Sequence, residues 1–419
     1  MFSSLAERCG SLVRSATLGC ILLSALGSNV CCAQTRGGDD SLAPPPNADE
    51  AHPGALRARV TALRRQVAAE PGNLGAQLDL GIALCLLGQG DDAMRTFLLL
   101  EARADLPPAI AEVISWYRTG GCRASTPARY GGGFVALGMG WARNFNLAPL
   151  AESIYLPALD AQLALDESSR RRNASLASLE AGVVLPLTAD QRWSLGAYLN
   201  ALRYQGSPDY AFTGVQGSLN WRAQEGPRVS EMQASLGALK VGDTTRIRTA
   251  TLVGSRLLEI GPGWWSGGTL SATKIDYYEQ AALDAKQYEL RGRLRWQGSQ
   301  TRFTADLGWM EDQQGSERPG GNRRGPVVQS HLLWALPHGR SLEATLKHSW
   351  LRDSAAYSPA LFGEQHRKPR VTMASLAIRQ PLTQSLAAKL ELRATHSRDT
   401  LELFKYGTQS AWASLEWTP

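Results

Sequence analysis

The sequence predicts a mainly β chain: a transmembrane antiparallel β-barrel of about 14 strands, preceded by a small all-α, tetratricopeptide-like domain. Three observations carry this. From about Tyr130 onward, segments of alternating apolar and polar residues recur roughly every 20 residues. Eleven of the 12 tryptophans lie beyond residue 130, and Trp141, Trp193, Trp296, Trp309, Trp350 and Trp417 fall near strand ends, where amphipathic rings settle at a headgroup boundary. After the N-terminal leader no run of 18 apolar residues remains, so no helix of the mature chain could span a bilayer.

The leader comes first. Arg8 and Arg14 precede an apolar stretch from Ala16 to Leu26, and small residues lead to Val30-Cys31-Cys32-Ala33-Gln34. This reads as a signal peptide, residues 1–33, cleaved after Ala33. A lipoprotein reading around Cys20 or Cys31 is the weaker alternative, because neither cysteine follows a Leu-small-Gly/Ala run. Cleavage leaves Cys85 and Cys122. In an oxidising compartment they can pair and staple the helical domain, or stay as two buried thiols. Residues 34–54, with Ser41–Gly54 rich in proline and small polar groups, are a disordered linker.

Helical periodicity occupies residues 55–129. Pro71, Leu80-Gly81, Leu84, Gly88, Ala93 and Phe97 stand at the offsets of one 34-residue tetratricopeptide repeat. A helix at about 55–69 and another at about 108–118 would cap its open faces, since a lone repeat cannot bury its apolar surface. Leu80, Leu84, Phe97 and Trp116 are the candidate residues for docking a cargo protein. The alternative is a plain helical hairpin with no partner.

The barrel is expected over residues 130–419, with strands at 132–143, 172–186, 191–204, 209–222, 228–241, 245–259, 267–279, 286–298, 301–313, 325–336, 340–353, 369–380, 385–397 and 405–418. Alternation is plainest in Trp193–Asn200, Tyr288–Trp296 and Leu386–Arg393. The pleat sends successive side chains to opposite faces, as a lipid-facing row opposite a polar lumen requires. Short even-to-odd connections (187–190, 298–300, 337–339, 381–384) contrast with long polar odd-to-even ones (144–171, 312–324, 353–368). In a barrel this parity puts the long loops outside the cell and the helical domain in the periplasm. Ala411, Ala413, Leu415 and Trp417 supply the closing apolar row.

Several function classes are disfavoured. There is no phosphate-cradling glycine loop before a helix, no His-Glu-x-x-His and no Gly-x-Ser-x-Gly elbow, and the six histidines are scattered. No catalytic residue, metal site or cofactor is expected, and the chain is not read as an enzyme. The basic balance, 44 Lys+Arg against 38 Asp+Glu, comes without a basic helix or stacking module, so nucleic acid is not an expected partner. Arg291, Arg293, Arg295, Lys389 and Arg393 are expected to point into the lumen, offset in part by Glu289, Asp306 and Glu391. Such a row either biases passage toward anionic or polar segments or simply fills the lumen with salt bridges.

Three stretches resemble the surface lipoprotein assembly modifier family: Leu106-Pro107-Pro108-Ala109-Ile110 opening the last helix; Gly138-Met139-Gly140-Trp141-Ala142-Arg143-Asn144-Phe145-Asn146-Leu147-Ala148-Pro149, with Ala142 and Arg143 where the family has Asp and Ser; and Leu361-Phe362-Gly363-Glu364-Gln365-His366-Arg367-Lys368 before a strand. The resemblance covers residues 55 to 419. It implies a short periplasmic tetratricopeptide domain joined to a 14-stranded outer-membrane barrel. The family role is moving a partner lipoprotein, or a related secreted protein, to the cell surface. Expected partners are outer-membrane lipids, the barrel-insertion machinery and a cargo protein, with the barrel a monomer. The rival reading is an exporter or diffusion pore for polysaccharide or small polar solutes.

Overall fold

The computed structural model describes residues 53–419, apart from 71, 88, 102–105, 107–109, 111, 112, 115, 116, 118–131, 189–191, 244, 279, 299, 316, 317 and 384. The expected signal peptide and linker, Trp116 and Cys122 lie outside the described residues. The chain divides into two compact units, one containing the helices and one the strands.

The helical unit contains α1 (Pro53–Ala69), α2 (Leu74–Leu86) and α3 (Gly90–Glu101), with Ile110, Val113, Ile114 and Tyr117 also helical. Asn73 caps α2: its side-chain oxygen accepts from the Ala76 N–H at 3.0 Å, satisfying a backbone donor the helix leaves open. Val60 and Leu63 of α1, Leu80, Ala83 and Leu84 of α2, and Ala93, Phe97 and Leu100 of α3 form one core with Ile114. The helices meet closely because position 81 is glycine; a Cβ there would run into the Phe97 ring. Phe97 stacks on Tyr117 at 5.4 Å. Cys85 is buried and disulfide-bonded.

The strand unit is a closed antiparallel barrel of 14 strands: β1 (Gly132–Arg143), β2 (Asn173–Pro186), β3 (Trp193–Tyr204), β4 (Phe212–Glu225), β5 (Arg228–Val241), β6 (Thr245–Gly261), β7 (Trp264–Tyr277), β8 (Ala285–Gln297), β9 (Thr301–Gln314), β10 (Arg323–Ala335), β11 (Ser341–Trp350), β12 (Arg370–Pro381), β13 (Leu386–Arg398) and β14 (Tyr406–Trp417). Each pairs with its neighbours in sequence, and β1 closes on β14 with Val135 opposite Trp417 and Arg143 opposite Gln409. The seam is tight, because a Cβ on Gly140 would overlap the backbone of Ala411. Every expected strand is present within three residues at each end. The stretch expected as 340–353 breaks at Leu351, and Arg352–Asp353 then pairs with the start of β10.

Connections alternate in length. At one end lie 187–192, 226–227, 262–263, 298–300, 336–340 and 382–385; at the other lie 144–172, 205–211, 278–284, 315–322, 351–369 and 399–405. One connection departs from this parity: β5 and β6 are joined at the long-loop end by the brief turn 242–244. A further correction concerns the character of the long loops. The first carries its own hairpin, Ser153–Leu156 with Ala161–Ala164, and the loops expected to be polar bury a core of Ile154, Leu156, Tyr357, Phe362, Leu401 and Phe404.

Phe97 is fully buried, so Phe97→Ala is expected to cost the helical unit about 3–5 kcal/mol. In urea-dependent proteolysis of the full chain, cleavage between residues 53 and 117 should begin at lower urea, with the barrel's heat-modifiable gel mobility retained.

Candidate functional site

The register assigns each strand residue to one of two surfaces. On β1 the outward row is Val135, Leu137, Met139 and Trp141, facing Trp417, Leu415, Ala413 and Ala411 across the seam. Leu137, Met139, Leu236 and Leu290 are 62%, 74%, 70% and 63% exposed. A contiguous apolar exterior of this extent is the surface a barrel presents to hydrocarbon. Outward tryptophans border it. Trp193 and Trp221 pair at 6.5 Å and Trp264 and Trp296 at 6.2 Å near the short-turn end, where Trp334 and Trp417 also lie. Trp141, Trp309 and Trp350 lie toward the long loops. Trp265 and Trp412 depart from the girdle pattern, since both occupy inward register positions.

The inner surface is the candidate site. Arg291, Arg293 and Arg295 of β8 and Lys389 and Arg393 of β13 all face inward, as their spacing implies. They are brought against carboxylates rather than left as a bare cationic row. Arg293 makes a two-pronged contact with Asp306, 2.8 and 2.9 Å, and Arg291 pairs with Glu289 and donates to Gln329 at 3.3 Å. The Asp306 side chain is only 3% exposed. On the other arc Glu391 accepts from both Lys389 and Arg393, each at 2.5 Å, and the Arg393 guanidinium lies 4.4 Å from the Trp412 ring centre. Arg295 donates to Gln297 at 3.0 Å. Buried charge is tolerated when paired and hydrogen-bonded, and acids placed two residues from bases on one strand, or opposite them on the next, achieve this. Between these arcs, on β3 to β7, the wall carries many uncharged polar groups, Asn200, Gln216, Ser218 and Asn220 on β3 and β4 and Thr251 and Thr273 within 3.2 Å of each other, together with the Arg222–Glu231 ion pair at 3.7 Å.

The long-loop end is organised by the two barrel stretches quoted for their family resemblance, each bonded to parts of the chain that sequence spacing does not reveal. Past β1 the chain turns through Asn144, whose φ of 51° is the left-handed conformation that asparagine tolerates. Its side chain donates to the Ala148 and Gly407 carbonyls, both at 2.9 Å, and accepts from the Ala148 N–H. Asn146 donates to the Arg170 carbonyl and accepts from the Arg172 N–H. These bonds drive Phe145 onto the inner wall, where it stacks on Tyr204 at 4.4 Å and meets Tyr210 edge-on at 5.3 Å. The Asn-x-Asn…Ala-Pro stretch is thus a structural lock.

The Phe-Gly…Arg stretch joins the same end. Phe362 lies in the loop core with Tyr357 and Phe404. Arg367, buried, pairs with Asp399 at 2.8 Å and places its guanidinium 3.5 Å from the Phe404 ring centre. Across the mouth, Leu239, Val241, Ile247, Ile275 and Tyr277 make an inward apolar cluster on β5–β7. Buried pairing also fixes the 315–322 loop, where Arg318 grips Asp312 at 3.0 Å and the Gly321 carbonyl.

The expected docking residues need correction. Leu80, Leu84 and Phe97 are buried in the helical core and offer no surface to another chain. Their repeat spacing reflects the packing of α2 on α3. The large apolar side chains that α3 does expose are Leu98 and Leu99. Cys85 is disulfide-bonded, and Cys122, its expected partner, lies outside the described residues.

No protein-family model matches this chain, and no curated protein matches it. Solved structures of similar shape include the outer membrane channel DcaP of Acinetobacter baumannii, 11% identical, covering 69% of this chain and 96% of that one with a TM-score of 0.37. A bacterial polysaccharide outer membrane secretin is 10% identical over 68% of this chain and 97% of its own, TM-score 0.33. A Pseudomonas aeruginosa FadL homologue is 9% identical over 68% and 90%, TM-score 0.33. These likenesses are distant, and the fold rests on the strand pairing itself.

Two outcomes follow from the ion pairs. Arg367→Ala strands the buried Asp399 carboxylate, a loss of about 3–5 kcal/mol to the loop cluster. Chymotrypsin should then cut after Tyr357 and Phe362 in the folded barrel, and unaltered resistance would show that the cluster does not depend on Arg367. Glu391→Gln removes the counter-charge shared by Lys389 and Arg393. Current through the reconstituted barrel should become more anion-selective, seen as a shifted zero-current potential across a KCl gradient.

Proposed function

We propose that this chain is an outer-membrane translocator that delivers a partner protein, a surface lipoprotein or related secreted protein, to the cell surface without a chemical step or cofactor. The observation that carries the reading is the convergence of the two barrel stretches resembling surface lipoprotein assembly modifiers. Asn144–Pro149 and Leu361–Lys368 are far apart in sequence, yet both build the long-loop end of one barrel. In this proposal the barrel sits in the outer membrane of a Gram-negative cell, inserted by the barrel-assembly machinery, with its long loops outside. The helical unit lies in the periplasm and recruits cargo through a tetratricopeptide-like fold. Leu98 and Leu99 take the docking role first assigned to Leu80, Leu84 and Phe97, and a Cys85–Cys122 bridge staples the unit.

A second reading, passage of polysaccharide or small polar solutes, draws on the hydroxyl- and amide-lined arc around Asn200, Gln216, Ser218 and Asn220. Such groups suit neutral polyhydroxyl solutes better than they suit an apolar polypeptide.

The two separate in one experiment. Surface labelling of a lipoprotein encoded beside this gene should fall when the chain is deleted and return with the wild type. It should not return with a Leu98→Asp/Leu99→Asp variant that still inserts as a heat-modifiable barrel. Undiminished display in the deletion strain, together with sugar-driven swelling of liposomes carrying the barrel, would move the assignment to the second reading.

A further inference from the structure

The outward face of the barrel is chemically unlike at its two ends. Within four residues of the long-loop ends, the register turns Lys240, Arg246 and Arg248 outward on β5 and β6, with Lys274 and Lys286 beside them on β7 and β8. Lys240 faces Arg246 directly, and Lys274 faces Lys286. The other arc repeats the pattern: Arg324 faces Arg352, and Arg370 faces Arg398. Arg143 and Arg203, at the ends of β1 and β3, fall between these arcs. All of these side chains are exposed. Offsetting acids are few: Asp243 pairs with Lys240 at 3.1 Å, Asp276 with Lys274 at 2.8 Å, and Glu311 lies opposite Arg324. Among the described residues the short-turn end offers fewer basic groups: Arg228, directly opposite Glu225, Arg256 farther in on β6, and Arg340 beside β11, which donates to Gln380.

A charged ring this lopsided has no lumen role, because it stands on the exterior just beyond the apolar belt. Placed there, guanidinium and ammonium groups meet lipid headgroups, and arginine pairs with phosphate oxygens two at a time. We infer that this ring binds the phosphorylated headgroups of lipid A in the outer leaflet, seating the barrel and orienting it with its long loops outward. The inference rests on the outer-membrane placement proposed above, though not on any cargo. Phosphate-bearing glycolipid fits better than a zwitterionic lipid, since the basic groups occupy both arcs and most lack a neighbouring acid.

The test uses the full chain in detergent with purified bisphosphorylated lipid A as probe, read by native mass spectrometry and by fluorescence titration. The triple variant Arg352→Gln/Arg370→Gln/Arg398→Gln should bind on the order of 100-fold more weakly, at about tenfold or somewhat less per exposed basic group removed. Added salt should weaken the wild type most. Arg228→Gln at the opposite end, and dephosphorylated lipid A as ligand, give the two controls: the first should bind like wild type, the second like the triple variant. Equal affinity of wild type and triple variant would overturn the inference, as would equal affinity for the dephosphorylated lipid. Neither result bears on cargo display, which is measured separately in cells.

Discussion

The constraint on which the rest depends is that a backbone in hydrocarbon has no water to bond to, so every strand must find two neighbours. The meeting of β1 and β14 supplies the last pair. Glycine at position 140 lets those strands approach, and the register they adopt is set by the rows they carry. Were β14 to slip by one residue, Leu415 and Trp417 would turn inward and Glu416 would turn to lipid. Closure and face assignment are therefore one event, and the apolar exterior holds the seam in register.

That assignment creates a second problem, since it sends many charged side chains of both signs into a confined interior. The chain answers by setting acids beside bases, across adjacent strands as with Arg293 and Asp306, or two residues along one strand as with Glu391 between Lys389 and Arg393. The mouth follows a related logic with aromatic rings. Phe145 is held on the inner wall by two asparagines bonded to Ala148, to Gly407 on β14 and to the 170–172 backbone, and Arg367 is enclosed by Phe404, Tyr357 and Asp399. The charges of the lumen are extensively paired with one another, and the loops at the mouth are a folded layer rather than slack connections.

The strands were legible because their determinant is local. Period-two alternation survives in a single sequence, and turn residues mark where it stops, so even β5 and β6, joined by a brief turn, could be located. The inward direction of Arg291 and Lys389 followed from the same count. Their partners were less legible, although Glu289 and Glu391 stand two residues away, because choosing between an open cationic row and a salt-bridged one requires cross-strand register. The helical residues show the opposite failure. Leu80, Leu84 and Phe97 carry a repeat spacing that marks where helices touch, and a contact between helices is by nature unavailable to a partner. Exposure, which singles out Leu98 and Leu99, depends on which side of α3 the core takes. The Arg367–Asp399 pair and the Phe145 stack were invisible for another reason: each joins loops separated by tens or hundreds of residues, with no periodicity to announce them.

The two ends of the barrel also ask different things of the same alternating strands. Near the short turns the outward positions are filled by tryptophans, whose rings tolerate a broad interface. Near the long loops the outward positions pass to arginine and lysine, while the inward ones become Leu239, Ile247 and Ile275 on one arc and Phe145 with Tyr204 on the other. On β5 to β7 polarity is thus inverted near the long loops, charge outside and apolar inside, whereas β9 and β10 keep Asp312 and Arg323 inside. A strand end facing plain water on both surfaces would gain nothing from that inversion. It is favourable where the outside meets a charged layer and the inside is covered by folded loops, which is the arrangement the inferred lipid contact requires of these strand ends.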